Sequence, residues 1–292
     1  MKSIYPSVII IFFAFVLTSC FSTTPKYLYA PNSANLLQTE KKGEVKAAVN
    51  YSQSKHSATS NGDNGSRQIS NGVDAQAAYS ILKNLVIRAD AFQRWETDRS
   101  VRNQIYPYRY KIDYKRKGAD VSIGYYKLLG KQKQISLNID AGIGIGKTIF
   151  NGIYRKDTIN KYIYSANHST LFITPSIALK PTTNYSLIIS YRLSSINFYN
   201  LNTNDVALTK GLYAAFADKN STYGDIIIEN EFGFNKLEGF RFHWQIGISK
   251  LQTYFSYDQV NSTTYGEDQY EYNNGFGSIG IVADLKQLLS KK

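Results

Sequence analysis

From residue 43 onward the chain repeats one unit about five times: a run of alternating apolar and polar residues, a very short turn, a second such run, then a long polar stretch. Alternation with period two places successive side chains on opposite faces of a strand. Tight turns at one end and long connections at the other form the pattern of an antiparallel up-and-down barrel that crosses a bacterial outer membrane. The sequence therefore predicts an all-β transmembrane barrel of about ten strands, eight to twelve being compatible. Short turns should be periplasmic, long loops extracellular, and an even strand count leaves both termini in the periplasm.

The N-terminus carries an export signal of a particular kind. Lys2 precedes an uncharged apolar run from Val8 to Leu17, which closes on Leu17-Thr18-Ser19-Cys20. The run is shorter than the roughly 20 residues of a membrane-spanning helix, and it reads as a signal peptide whose small residues before a cysteine match a lipobox. Cys20 is the only cysteine, so it is the expected lipidation site, and neither a disulfide framework nor a thiolate metal centre is available. The segment from Phe21 to Lys26 has no acidic cluster, which points the lipid to the periplasmic leaflet. The resulting division is residues 1–19 as signal peptide, 20–42 as periplasmic linker, 43–285 as barrel and 286–292 as a basic tail.

Composition agrees with this address. The chain holds 24 Tyr, 15 Phe and 2 Trp with only 19% charged residues, and tyrosine is an amphipathic side chain of membrane interfaces. Beyond the signal no stretch resembles a transmembrane helix. A barrel escapes that filter because every second residue faces the lumen and can be polar.

The plainest strand carries Ile135, Leu137, Ile139, Ala141, Ile143 and Ile145 on one face, against Ser136, Asn138, Asp140, Gly142, Gly144 and Gly146 on the other. Lumen glycines of this kind leave room for long side chains from other strands. Pro175 falls inside the sixth strand, where a bulge or sheet edge is expected. Loops are read over 54–70, from about 96 to 107, up to about 166, from about 199 to 224, and before the last strand.

Cys20, Tyr29-Ala30-Pro31-Asn32, Glu40-Lys41-Lys42-Gly43-Glu44, Asp74-Ala75-Gln76-Ala77-Ala78-Tyr79-Ser80 and Ile123-Gly124-Tyr125-Tyr126 together resemble a largely uncharacterised group of Bacteroidota-type outer-membrane β-barrel lipoproteins. The resemblance covers the N-terminal half best. It implies fold and location and supplies no catalytic residues.

Candidate sites follow from the parity of the strands. Glu44, Lys46, Arg88, Asp90, Arg94, Asp120, Asp140, Arg192, Glu229, Glu231, Arg241 and His243 are expected to face the lumen. Unpaired charges there are costly, so mixed signs should form a salt-bridged network. The net charge of +12 is unevenly spread, and eight basic residues against three acidic ones lie between Arg94 and Lys117. There Arg99, Arg102, Arg109 and Lys111 are expected on an outer loop able to pair with lipopolysaccharide phosphates. His168 and Ser169 near one strand end, with His56 in the first loop, are the residues that a rim hydrolase would use, yet no acid pair or base-orienting partner accompanies them.

Two motifs are read as accidental. Ala141-Gly142-Ile143-Gly144-Ile145-Gly146-Lys147-Thr148 matches a relaxed phosphate-binding loop, but its glycines alternate with isoleucines inside a strand instead of opening a helix. Asn61-Gly62-Asp63-Asn64-Gly65 lacks the spacing of a calcium loop. The sequence thus predicts a non-enzymatic outer-membrane barrel lipoprotein with a structural or surface-binding role, without cofactor, metal or nucleic acid. Its expected partners are outer-membrane lipid and lipopolysaccharide, the barrel-assembly and lipoprotein-sorting machinery, and an unknown extracellular ligand. A narrow solute channel is the first alternative and a rim hydrolase the second.

Overall fold

In the computed structural model of the protein, the described residues are 36–39, 41–58, 66–100, 109–130, 134–155, 159–203, 220–234, 237, 239–251 and 273–289. Ten strands follow one another: β1 (Val45–Ala58), β2 (Ser66–Leu82), β3 (Leu85–Ser100), β4 (Arg109–Leu129), β5 (Ile135–Arg155), β6 (Ile159–Thr182), β7 (Tyr185–Thr203), β8 (Asn220–Gly233), β9 (Phe240–Leu251) and β10 (Asn273–Asp284). A single helical turn, α1 (Leu285–Leu289), ends the described chain. Each strand pairs antiparallel with its neighbours, and β10 closes on β1 through Lys46↔Asp284 to Gln53↔Gly277. No helix among the described residues is long and apolar enough to cross a membrane.

The register defines the shape of the barrel. From Ser136 it runs through Ala178, Ile188, Glu229, Gln245, Ser278, Ser52, Gly72, Arg94 and Arg116, and it returns to β5 at Thr148, a stagger of 12 residues. Ten strands with that stagger tilt by roughly 40° and enclose a barrel of about 10 Å backbone radius. The whole circuit consists of lumen-facing positions, which shows how strictly the period-two pattern is kept.

The outer face is an apolar belt. Val49, Tyr79, Val121, Ile123, Ile143, Ile145, Leu171, Ile177, Ile189, Ile226, Phe242, Ile279 and Ile281 are all exposed on it. Tyr79, Tyr125, Phe240 and Phe242 ring the turn end, as aromatic girdles do at a membrane interface. A continuous apolar band on every strand is the surface that a transmembrane barrel presents to lipid.

At the turn end the connections are short, as expected. Lys83-Asn84 and Thr183-Asn184 link β2 to β3 and β6 to β7. Gly239, with φ of +88°, reverses the chain into β9, a conformation that favours glycine. The opposite end departs from the expected boundaries. β1 continues to Ala58, β3 to Ser100 and β5 to Arg155, while β6 already starts at Ile159 and β8 at Asn220. Much of the sequence read as loop is therefore strand that extends past the apolar belt. Beyond the belt both faces are wet, so the apolar-polar contrast disappears while the hydrogen-bonded ladder goes on.

Two further corrections concern single positions. Pro175 makes no bulge: β6 pairs with β7 in one register on both sides of it, Ile173↔Leu193 and Ser176↔Ser190, and the ladder skips only Thr174 and Pro175. Leu285, expected as the last residue of the barrel, opens α1 instead, where Asp284 Oδ1 accepts the amide of Gln287 at 3.0 Å.

Candidate functional site

The lumen holds the chemistry of this barrel, and parity of the strands decides what enters it. Arg88, Asp90 and Arg94 share the inner face of β3, Asp120 that of β4, Asp140 that of β5 and Arg192 that of β7, with Glu229 and Glu231 on β8 and Arg241 and His243 on β9. The pairing is set by height and is not confined to adjacent strands.

Near the turn end Arg241 Nη1 lies 2.9 Å from Glu231 Oε1, and Lys46 Nζ lies 3.5 Å from Glu44 Oε1. Above them Arg88 pairs with Asp140, and His243 sits between Asn50 at its Nε2 and Glu229, 3.5 Å from its Nδ1. Gln245 donates to Glu229 at 2.6 Å. In the middle, Arg192 reaches from β7 past two strands to Asp120 at 2.6 Å, with its guanidinium 3.8 Å from the centroid of the Phe172 ring. Arg94 pairs with Asp74 at 2.7 Å. Toward the long-connection end Arg116 lies 3.3 Å from Glu96, which also accepts the Ser70 hydroxyl at 3.1 Å. Asp90, half-buried, stands opposite Asp120 in the register.

Glycines make these crossings possible. A Cβ on Gly124 of β4 would collide with both Asp140 and Arg88, the pair that spans the strands on either side of it. Gly144 lies under Asp120 and Gly142 under Phe172. The lumen glycines read from the sequence are thus the floor over which long side chains meet.

One part of the lumen filling is not made by the wall. Leu36, Leu37, Gln38 and Thr39, expected in a periplasmic linker, are inside the barrel, with Leu36 2% and Leu37 1% exposed. Leu37 packs against Ala48, Ala78, Val86, Tyr126 and Val282, and Leu36 against Ala178, Ile188 and Ile227. Arg88 donates to the Leu37 carbonyl from Nε at 3.4 Å and from Nη2 at 3.3 Å, and Ser136 donates to Gln38 Oε1 at 3.3 Å. An eight-stranded barrel is filled by its own side chains, whereas ten strands leave extra space. Here a four-residue peptide occupies it at the turn end.

That insertion was not legible from composition, although two adjacent leucines in the mostly polar stretch from Asn32 to Lys42 were its trace. The Arg116–Glu96 pair of the basic segment also escaped, since Glu96 was read as the start of a loop. Within that segment, Arg94 and Arg116 turn inward while Lys115 and Lys117 turn out. Cys20 and Arg102 lie outside the described residues, as do the side chains of Arg99, Arg109, Lys111 and His56. His168 faces the lumen with its ring 5.8 Å from Phe198, whereas Ser169 occupies the opposite parity, so the two do not form a dyad. Among the described residues no group of three or more His, Cys, Asp or Glu is arranged to hold a metal ion.

No family model and no curated protein matches the sequence. Among solved structures, the chain is similar to the outer membrane protease OmpT from Escherichia coli (10% identity, TM-score 0.45, 86% of this chain and 99% of that one). It is also similar to the translocator domain of the autotransporter NalP from Neisseria meningitidis (9% identity, TM-score 0.47, 82% and 88%), and to the attachment invasion locus protein Ail of Yersinia pestis (16% identity, TM-score 0.29, 56% and 97%).

Proposed function

We propose that the protein is a plugged, non-enzymatic outer-membrane barrel lipoprotein of the Bacteroidota type. In this reading signal peptidase releases residues 1–19, and acylated Cys20 anchors the chain in the periplasmic leaflet. The short turns then face the periplasm, and the opposite ends of the strands face outward, where the expected long loops serve as a structural or binding surface. Outer-membrane lipid, lipopolysaccharide, and the barrel-assembly and lipoprotein-sorting machinery are its partners.

The observation that carries the reading is the filled lumen inside an apolar exterior. Ion pairs stand at successive heights from Arg241–Glu231 to Arg116–Glu96, and Leu36–Thr39 occupies the turn end. A solute path would have to displace both. Removing one partner of a buried pair typically costs about 3–5 kcal/mol, so the network favours a wall that supports the envelope over an open pore. Planar-bilayer recording of the refolded full-length protein tests this. No conductance steps above background are expected, and steady unitary steps would establish the channel instead. Heat-dependent mobility of the same preparation on a denaturing gel reports independently that the barrel is folded.

A further inference from the structure

The outer wall carries a charged feature that the lumen does not explain. Lys115 and Lys117 of β4 and Lys147 of β5 are exposed on the outward face, and Lys117 stands directly opposite Lys147 in the register. Directly opposed side chains have Cβ atoms about 5 Å apart, and like charges there are destabilising. None of the three lysines pairs with a carboxylate among the described residues. Their cross-strand neighbours are Gln93 beside Lys117, Trp95 and Ile149 beside Lys115, and Asn167 beside Lys147, with no acid among them. The next outward acid on β4, Asp113, accepts the Thr97 hydroxyl at 2.8 Å.

The height of the cluster gives it meaning. On β5 the outward apolar run from Ile135 to Ile145 ends two residues before Lys147. Ten residues at about 3.3 Å each and a tilt of roughly 40° span about 25 Å along the barrel axis, the height of an outer-membrane apolar band. Lys117 and Lys147 therefore stand where the hydrocarbon ends and headgroup phosphates begin. Just below, Ile145 is 65% exposed, and the small outward residues Ala75, Ala91 and Ala119 are neighbours across β2, β3 and β4. They leave a shallow bed on which an acyl chain can lie.

We propose that Lys115, Lys117 and Lys147 bind the phosphates of a diphosphorylated glycolipid of the outer leaflet, its acyl chains against the Ala91–Ala119–Ile145 surface. The assignment to that leaflet rests on the orientation under Proposed function, with the long connections outside. Three ammonium groups at one bilayer edge complement two phosphates on one headgroup, and the bound anion removes the repulsion between Lys117 and Lys147.

The test is native mass spectrometry of the full-length folded protein in micelles, with lipid A as probe. The wild type should retain lipid A, and the triple variant Lys115→Gln/Lys117→Gln/Lys147→Gln should lose roughly fivefold in retention per lysine, about 100-fold in all. The control Lys83→Gln/Lys127→Gln, at the turn end, should bind as the wild type does. Heat-dependent gel mobility establishes that each variant is folded. Wild-type retention by a folded triple variant overturns the proposal. Equal retention of phosphatidylglycerol and lipid A overturns the diphosphorylated class, and displacement of lipid A by inorganic pyrophosphate would show a free-phosphate site. Orientation is read separately by a membrane-impermeant maleimide on Lys147→Cys in intact cells. Labelling there supports the outer leaflet. Labelling only after the outer membrane is permeabilised overturns that leaflet and the orientation together, while leaving the micelle binding result intact.

Discussion

Arg88 donates to the carboxylate of Asp140 with one nitrogen and to the main-chain carbonyl of Leu37 with two others, so the wall's ion pair and the inserted peptide share a single guanidinium. Arg88→Met leaves Asp140 buried without its cation and the Leu37 carbonyl without its donor. A loss of about 3–5 kcal/mol is expected, measured as the urea midpoint of the refolded barrel in vesicles. The double variant Arg88→Met/Asp140→Leu should recover most of it, because an apolar pair of similar volume carries no stranded charge. Equal destabilisation by the single and double variants would contradict this account of the pair.

Gly124 lies beneath that pair. Gly124→Val should separate Arg88 from Asp140 and destabilise the barrel by a similar amount, since the new side chain occupies the space where the two meet. Gly277 is the contrast: an added Cβ there meets nothing nearer than 3.9 Å. Gly277→Ala should stay within about 0.5 kcal/mol of the parent, and urea unfolding of the two variants side by side checks the difference.

Leu36 and Leu37 are the apolar anchors of the lumen peptide. Replacing both by aspartate puts two charges into a closed apolar contact, which costs more than the docking returns. The peptide should leave the barrel while the wall, held by its ladder, stays folded. Conductance steps are then expected in planar bilayers where the parent gives none. A silent but heat-modifiable double variant would mean that the ion-pair layers alone close the lumen.

Pro175 removes one donor from the β6–β7 ladder, yet the register continues without a shift. Pro175→Val supplies an N–H to the gap and keeps an apolar surface on the outward face. A gain of up to about 1 kcal/mol is expected, and chemical unfolding reads it directly.

Much of this architecture was legible in the sequence because a strand's two faces are written in alternate letters. Ile135 to Ile145 announced an outward stripe, and the parity of the strands announced Asp140 and His243 as lumen residues. Strand ends were less legible. Ser54–Ala58, Thr97–Ser100 and Ile159–Ser165 continue the wall above the belt, where water on both sides removes the pressure to alternate. Loop composition and extended-strand composition then coincide.

What the sequence determined by itself is therefore local: the period of two, the tight turns, the parity of each charged side chain, and an even number of strands. Only the closed barrel decided which residues meet, because its stagger of 12 residues brings positions far apart in the chain to one height. Arg192 finds Asp120 across β5 and β6, and Lys117 is set against Lys147. The same closure created a lumen wider than its side chains fill, and that surplus volume draws Leu36–Thr39 inside. Parity is a property of neighbours along the chain, whereas register and lumen volume belong to the barrel as a whole, and no single strand contains them.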